Sequence, residues 1–536
     1  MQLITRRTLS RVARDTPYAS YNQRYAPSIW RCYSETTHRT YDDAISLLNT
    51  LQTPYAELKR QWDAGIKRGE SDLVHTRDCF SRMGYEGKDL NKLNIVHVAG
   101  TKGKGTVCGY VDSILNQVRT SHTRDLSPPS KPGFKPRKVG LYTSPHLISV
   151  RERIRINSAP ISETLFTKYF FQVWDRLCQP GVWDQPKPVY FRFLTLMSFH
   201  AFLSEDVDCA IYEVGMGGEY DATNIVERPA VTGISALGID HTFHLGNTID
   251  QIAWHKAGIF KKNVPAYTVE QPREAMAVVS ERALKAQVDG LFIVKEDPFL
   301  KSVRIRPEAP FQRQNASLAI ALSKDVLRKI NSRENVDFPE DHLPEEFVRG
   351  LEQVVSRGRC EVRDDGNVIW YLDGAHTADS IIIASKWFCD EVKDKPEPRV
   401  LIFNQQGHRE SMELLEGLFA ATRGQTKFDH VIFCPSVPPA SSTRKDHVNL
   451  QTDLEAVAGL TVQQKFADRW RELDASPKTT ISVLPSLEDA FEYARKLGPH
   501  GKLSENGEGG KVRVFITGSI HLVGRALSML EGVDAL

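Results

Sequence analysis

The chain has no Cys-x-x-Cys pair among its eight cysteines, no apolar run that approaches the length of a bilayer span, and no imbalance between its 69 basic and 67 acidic residues. Each absence excludes something. Scattered cysteines, several inside apolar patterns such as Val431-Ile432-Phe433-Cys434, argue for reduced core residues in a reducing compartment. Without an apolar stretch of about 20 residues there is no transmembrane helix to place. Balanced charge gives no global field for nucleic acid or an anionic membrane, so anion recognition must be local and the partner small. No internal repeat is present, and 536 residues exceed one ordinary core, which predicts two large domains.

Acids are also scarce at the start: residues 1–40 hold seven arginines but only Asp15 and Glu35. With many Ser, Thr and Tyr, this is the composition of a mitochondrial transit peptide, the alternative being a disordered basic tail. Residues 1–40 are set apart on that ground, and the expected location is mitochondrial (matrix or inner membrane surface) and cytoplasmic. The next methionine is Met83, and a start there would delete an expected helix over 41–60.

What is present is most concentrated at Gly100-Thr101-Lys102-Gly103-Lys104-Gly105-Thr106, which follows the apolar strand pattern ending at Ala99 and precedes an expected helix over 107–118. Glycines let backbone N–H groups turn inward around an anion, the helix directs its partly positive end there, and a lysine adds full charge. Lys104 and Thr106 are the residues suited to terminal phosphates and their metal. Unlike the usual P-loop, Gly105 separates the lysine from the hydroxyl, so a plain glycine-rich turn stays open as a reading of the loop alone.

Beyond the loop, residues 120–138 are rich in Ser, Pro, Lys and Arg and look like an inserted surface loop. Strand patterns at 139–142, 208–215 and 230–237 alternate with helical spacing at 161–178 and 190–203, the form of an open α/β sheet whose ligands lie beyond the strands' carboxyl ends. A second series of strands, at 368–372, 400–403, 430–434, 480–484 and 512–517, predicts a smaller Rossmann-like unit, interrupted by a glycine-rich low-complexity loop at 498–511. The expected fold is therefore α/β: an N-terminal P-loop-type ATPase domain with a mostly parallel sheet over 41–355, and a C-terminal Rossmann-like α/β domain over 356–536.

Four further segments carry polar groups at or near strand ends: 140–147 (Gly-Leu-Tyr-Thr-Ser-Pro-His-Leu), 213–224 (Glu-Val-Gly-Met-Gly-Gly-Glu-Tyr-Asp-Ala-Thr-Asn), 238–241 (Gly-Ile-Asp-His) and 255–260 (His-Lys-Ala-Gly-Ile-Phe). Singly, Ser144 reads as well as a turn hydroxyl, His241 as a satisfied strand-end residue and Lys256 as a solvated helix lysine. Together, and followed by Asp373-Gly374-Ala375-His376, they resemble the folylpolyglutamate synthases of the Mur ligase superfamily from about residue 41 to the end. Lys102 in the loop, and Thr377 after Asp-Gly-Ala-His, are similar to the eukaryotic members; Thr106 stands where serine is more usual.

The resemblance implies ATP-dependent addition of L-glutamate to the γ-carboxylate of a folate's terminal glutamate, through an acyl phosphate, in support of one-carbon metabolism. It implies that Gly100, Thr101, Lys102, Gly103, Lys104, Gly105 and Thr106 hold ATP phosphates, and that Ser144 and Glu213 hold one Mg²⁺. A second Mg²⁺ falls to His241 and to Lys256, the latter in carbamoylated form. Histidine is an unusual ligand for so hard a cation. A monovalent cation such as K⁺ is a further implied companion. Asn315, in a segment taken as a helix start, matches the adenine-contacting residue, and an ordinary helix start is as good a reading of that segment. Arg359 and Asp373 match nucleotide-binding residues, and His376 a neighbour of the phosphates or of glutamate, so that Lys104, Lys256 and His376 form the implied catalytic set. ATP would then lie between two domains that close on it. A monomer is expected, with folate and L-glutamate as partners and no nucleic acid.

Two other readings stay open on sequence. Dihydrofolate synthase would use the same activation to join glutamate to dihydropteroate, and an assay with both acceptors separates them. A nucleotide-binding module that has lost catalysis would show no glutamate-dependent phosphate release; against it stands the presence of every implied phosphate and metal group.

Overall fold

The computed structural model describes residues 39–121, 136–177, 186–331, 338–395, 398–405, 411–436, 454–474, 478–498, 511–533 and 535–536. The expected leader over 1–40 falls outside these except at its end, as do most of the 120–138 insertion and nearly all of the 498–511 loop.

Among the described residues, eight strands form the first sheet: β1 (Val96–Ala99), β2 (Val139–Tyr142), β3 (Ile154–Ile156), β4 (Ala159–Pro160), β5 (Cys209–Glu213), β6 (Val231–Ile234), β7 (Ala266–Val269) and β8 (Leu291–Val294), in the order β4-β3-β2-β5-β1-β6-β7-β8. All pairings are parallel except β2 with β3 and β3 with β4. Strands β1, β2, β5 and β6 are buried at every position, as parallel strands covered on both faces must be, which explains their continuous apolar runs. On one face Val96 and Val98 pack with Val107, Val111 and Ile114 of the helix Lys104–Thr120 and with Leu318 and Leu322 of Pro310–Ile330. On the other, Tyr142 and Tyr212 pack with the helices Glu163–Leu177 and Tyr190–Ser204 through Phe166, Phe170, Phe193 and Phe199.

The second sheet, again among the described residues, has six strands: β9 (Glu361–Asp365), β10 (Val368–Leu372), β11 (Arg399–Phe403), β12 (His430–Phe433), β13 (Thr480–Val483) and β14 (Val512–Thr517), in the order β13-β12-β11-β14-β10-β9. Only β9 runs antiparallel to its neighbour. Ile148, from the segment after β2, joins the core of Trp370, Val514 and Val523, so a connection of the first sheet is packed into the core of the second.

The expected helix over 41–60 is two helices, Tyr41–Asn49 and Tyr55–Asp63. Pro54, with φ −61°, has no N–H to continue the first and is preset to start the second. Tyr41–Asn49 buries Ala44, Ile45, Leu47 and Leu48 in the first-sheet core, whereas Tyr55–Asp63 buries none of its residues. A chain begun at Met83 would lack that packing. The β3–β4 hairpin, with strands of three and two residues, is too short to show a period of two in sequence.

Candidate active site

The loop after β1 is shaped by close approaches that only glycine permits. Gly100 has φ 148° and a Cβ there would meet Ser235 Oγ at 1.9 Å; Gly103 has φ 85° and its Cβ would meet Asn315 Oδ1 at 2.4 Å. The first half of the loop is tied to the segment at the carboxyl end of β6. Thr101 N and Lys102 N donate to Ala236 O at 3.0 and 3.1 Å, Thr101 Oγ1 donates to Gly238 O at 3.0 Å, and Ser235 Oγ donates to Lys102 O at 2.7 Å. The sequence suggested that all of 100–106 cradles an anion. Instead the N–H groups of 101 and 102 are used internally, and those of residues 103–106, at the start of the helix Lys104–Thr120, have no acceptor among the described residues. These four N–H groups, with Lys104, are the donors the loop leaves available to an anion. Lys104 has no ion-pair partner among the described residues. Replacing Gly103 with alanine should add about 1–3 kcal/mol of local strain and displace Asn315, visible as a higher KM for nucleotide with little loss of Tm.

Parallel pairing of β1 with β5 sets Val98 beside Glu213, which brings a 5% exposed carboxylate to the loop. Glu213 Oε2 accepts from Ser144 N at 3.0 Å and from Thr143 Oγ1. Oε1 makes no described hydrogen bond and faces Gly105, whose Cβ would lie 3.4 Å away. Thr143 was not singled out in sequence; its place beside Ser144 at the end of β2 was the available signal. One carboxylate oxygen without a described hydrogen bond, with Ser144 and Thr106 lining the same cleft, offers an all-oxygen donor set, which fits one Mg²⁺.

The second expected metal position is different. His241 sits at φ 50° with its Nε2 3.7 Å from Asp240 Oδ2 and its side chain 44% exposed. Loss of water around the ring, reinforced by Lys256, Lys104 and Arg68 against the opposing Asp240, lowers its pKa to about 4, so at neutral pH it offers a lone pair. Lys256 ends the helix Ile249–Lys256, is 2% exposed, and donates from Nζ to Gly100 O at 2.7 Å. It is no solvated lysine. Burial first, then the charge of Lys104, holds its pKa well below the usual lysine value. As an ammonium it offers a metal no donor, and among the described residues no three or more His, Cys, Asp or Glu side chains are placed to hold an ion. The residues fit a second cation only if Lys256 becomes anionic.

Asn315 lies in the second turn of Pro310–Ile330, not at a helix start, and its Nδ2 donates to Gln312 Oε1 at 3.2 Å. Asp373, at the carboxyl end of β10, accepts from Cys360 N at 2.8 Å; burial raises its pKa while Arg359 acts to lower it. Gly374 N donates to Gly358 O at 2.9 Å, and Arg359 Nη1 lies 3.4 Å from where a Cβ on Gly374 would be, so the two segments are clasped. His376 Nδ1 donates to Gly374 O at 2.8 Å.

A cleft of about 2060 Å³ between the sheets gathers Thr101, Lys102, Gly103, Lys104, Gly105, Thr106, Ser144, Glu213, His241, Asn315, Arg359, Asp373 and His376 on its walls. Gly100 and Lys256 lie behind the loop and do not line it. Lys102 Nζ reaches across to Asp379 Oδ2 at 2.5 Å, in the first turn of Ala378–Val392, a pair the sequence did not suggest. Both side chains are solvent-accessible, so Asp379→Asn should change Tm by less than the equivalent of about 1 kcal/mol and KM for ATP by less than about fivefold. A larger shift in either would mean that this contact holds the cleft closed.

No family model matches the chain. It is 50% identical over 510 residues to the folylpolyglutamate synthase of Neurospora crassa, covering 93% of each chain. To that of Saccharomyces cerevisiae strain S288c it is 41% identical over 510 residues, covering 92% of this chain and 88% of the relative. A solved structure of Mycobacterium tuberculosis folylpolyglutamate synthase complexed with ADP superposes with a TM-score of 0.66 at 23% identity, over 92% of this chain and 100% of the other, which supports the fold. With those two relatives matched across nearly their whole length, the chain belongs to the folylpolyglutamate synthase family.

Proposed function

We propose that this ligase joins L-glutamate to the γ-carboxylate at the end of a folate's glutamate tail, with ATP as the source of activation. The observation that carries the reading is that one cleft is lined both by Lys104 and Glu213, at the carboxyl ends of the first sheet's strands, and by Arg359 and Asp373, beside the second sheet. A carboxylate is a poor electrophile. One of its oxygens attacks the γ-phosphorus of ATP and ADP leaves; the glutamate amine then attacks the acyl carbon, loses a proton, and phosphate departs with the original oxygen.

Negative charge accumulates at every stage, and this chain's own groups answer it. Lys104 and the N–H groups of 103–106 take the terminal phosphates, where fixed donors need not reorganise as charge develops. Asn315, behind Gly103, is assigned to the adenine, Arg359 and Asp373 to the rest of the nucleotide, and His376 to the phosphate leaving or the glutamate arriving. Ser144 and Glu213 would hold one Mg²⁺, His241 and a carbamoylated Lys256 a second, and bound Mg²⁺ supplies Lewis-acid neutralisation of the phosphate oxygens. K⁺, a monomeric state and a mitochondrial and cytoplasmic distribution belong to the same proposal; a fluorescent fusion to residues 1–40 tests the distribution.

Purified protein given MgATP, L-glutamate and a reduced folate monoglutamate should yield products heavier by whole glutamate residues, with one phosphate released per residue added. ATP hydrolysis without extended product, or extension of dihydropteroate alone, would overturn the reading.

A further inference from the structure

One end of the cleft wall carries cations that none of the roles above uses. Lys67 and Arg68 lie in the turn between the helices Tyr55–Asp63 and Glu70–Arg82, both line the cleft, and neither has an ion-pair partner among the described residues. Their neighbours are compensated: Arg60 pairs with Glu57 at 2.6 Å, and Arg192 with Asp72 at 2.6 Å and with His75 Nδ1 at 2.6 Å. Next to them stands His244, whose Nδ1 is buried yet has no hydrogen-bond partner among the described residues. Arg68, His241 and His244 all line the cleft, and His244 N donates to His241 O at 3.0 Å, which ties the two histidines together on the wall that bears Arg68.

Two cations without ion-pair partners among the described residues, beside an imidazole that can donate from Nδ1 in its Nδ1–H tautomer, suit an anion that accepts hydrogen bonds. The phosphate site is already supplied by Lys104 and the helix start. The same cleft also has an aromatic and apolar lining: Tyr190 N donates to Leu51 O at 3.0 Å, Phe191 covers Gly215, and Leu51, Tyr190 and Phe191 all line it. An aromatic body with an anionic tail fits that cleft. In a terminal glutamate the α-carboxylate carbon is four bonds from the γ-carboxyl carbon, about 5 Å when extended.

We propose that Arg68, with Lys67 and His244, seats the free α-carboxylate of the acceptor glutamate, so that its γ-carboxylate is the one presented beside His241 for activation. The proposal rests on the ligase reading and deepens it: these residues distinguish a glutamate-tailed acceptor from a pteroate, which has no such group. After each addition the new residue brings its own α-carboxylate to the same seat.

The test is a double-substitution cycle read by equilibrium binding. Tetrahydrofolate monoglutamate and its α-carboxamide, with the γ-carboxylate intact, are titrated into wild type and Arg68→Ala in the presence of a non-hydrolysable ATP analogue. In wild type the amide should bind about 10- to 100-fold more weakly than the acid, the span expected for one charged hydrogen-bonded contact, and in Arg68→Ala that difference should collapse to within about threefold. Arg68→Lys should restore part of it, and in turnover Arg68→Ala should raise KM for the folate with KM for ATP and L-glutamate unchanged. Equal binding of acid and amide to wild type, a penalty that survives in Arg68→Ala, or a rise in KM for L-glutamate instead would overturn the seat. Failure of wild type to extend any folate would overturn the ligase reading, while the binding cycle still decides on the seat.

Discussion

Lys104→Ala is expected to lower kcat/KM by about 10³-fold or more while the protein stays folded. The side chain starts the helix Lys104–Thr120, lines the cleft, and has no ion-pair partner among the described residues, so its removal breaks no contact that holds the fold. What is lost is a full positive charge next to four inward-facing N–H groups, at the place where phosphate charge must be balanced. Steady-state kinetics against a Tm within about 2 °C of wild type checks it. A loss under tenfold would mean that the phosphates lie elsewhere, and Lys104→Arg, keeping charge with a bulkier head, should recover only a small part.

Lys256→Met should reduce turnover about 100-fold or more, with Tm near that of wild type. Nζ of Lys256 holds Gly100 O and so fixes the first residue of the loop from behind, and the same nitrogen is the one proposed to take up CO₂. Methionine fills the buried space and removes the cost of a desolvated amine, which offsets the orphaned carbonyl, worth about 1–3 kcal/mol. The pH dependence separates the contributions. Because the folded-state pKa is depressed, the unfolded chain binds more protons between that value and about 10.5, so wild type gains stability relative to Lys256→Met as pH rises through that window. Bicarbonate depletion should lower wild-type activity reversibly. Near-normal turnover in the methionine variant would remove both the carbamate and the anchoring role.

The strands that bear the site were legible because burial on both faces makes them unbroken apolar runs that end abruptly in polar residues: Val96 to Ala99 before the loop, Cys209 to Glu213, and Val368 to Leu372 before Asp373. Their convergence was also inferable, since open parallel sheets place carboxyl ends together. Other features required coordinates. Pro54 alone could have warned that 41–60 is not one helix. Division of the loop into an anchored half and an anion-facing half depends on Ala236 and Ser235, more than 130 residues away in sequence, and no local pattern reports that. Thr143 gains its meaning only when Glu213 is brought beside it. Lys67 and Arg68 look in sequence like any solvated basic pair, and only the absence of acidic partners among the described residues, at a cleft wall, sets them apart.

Strand β1 is central, flanked by β5 and β6, which enter the chain more than 100 residues later. With the residues assigned above, the nucleotide pocket is incomplete on any nascent fragment that ends before Asp373, however well its loop and helix have formed. ATP in the cell cannot chaperone early intermediates of this protein; it rewards only the completed pocket, raising Tm logarithmically with concentration once assembly is over.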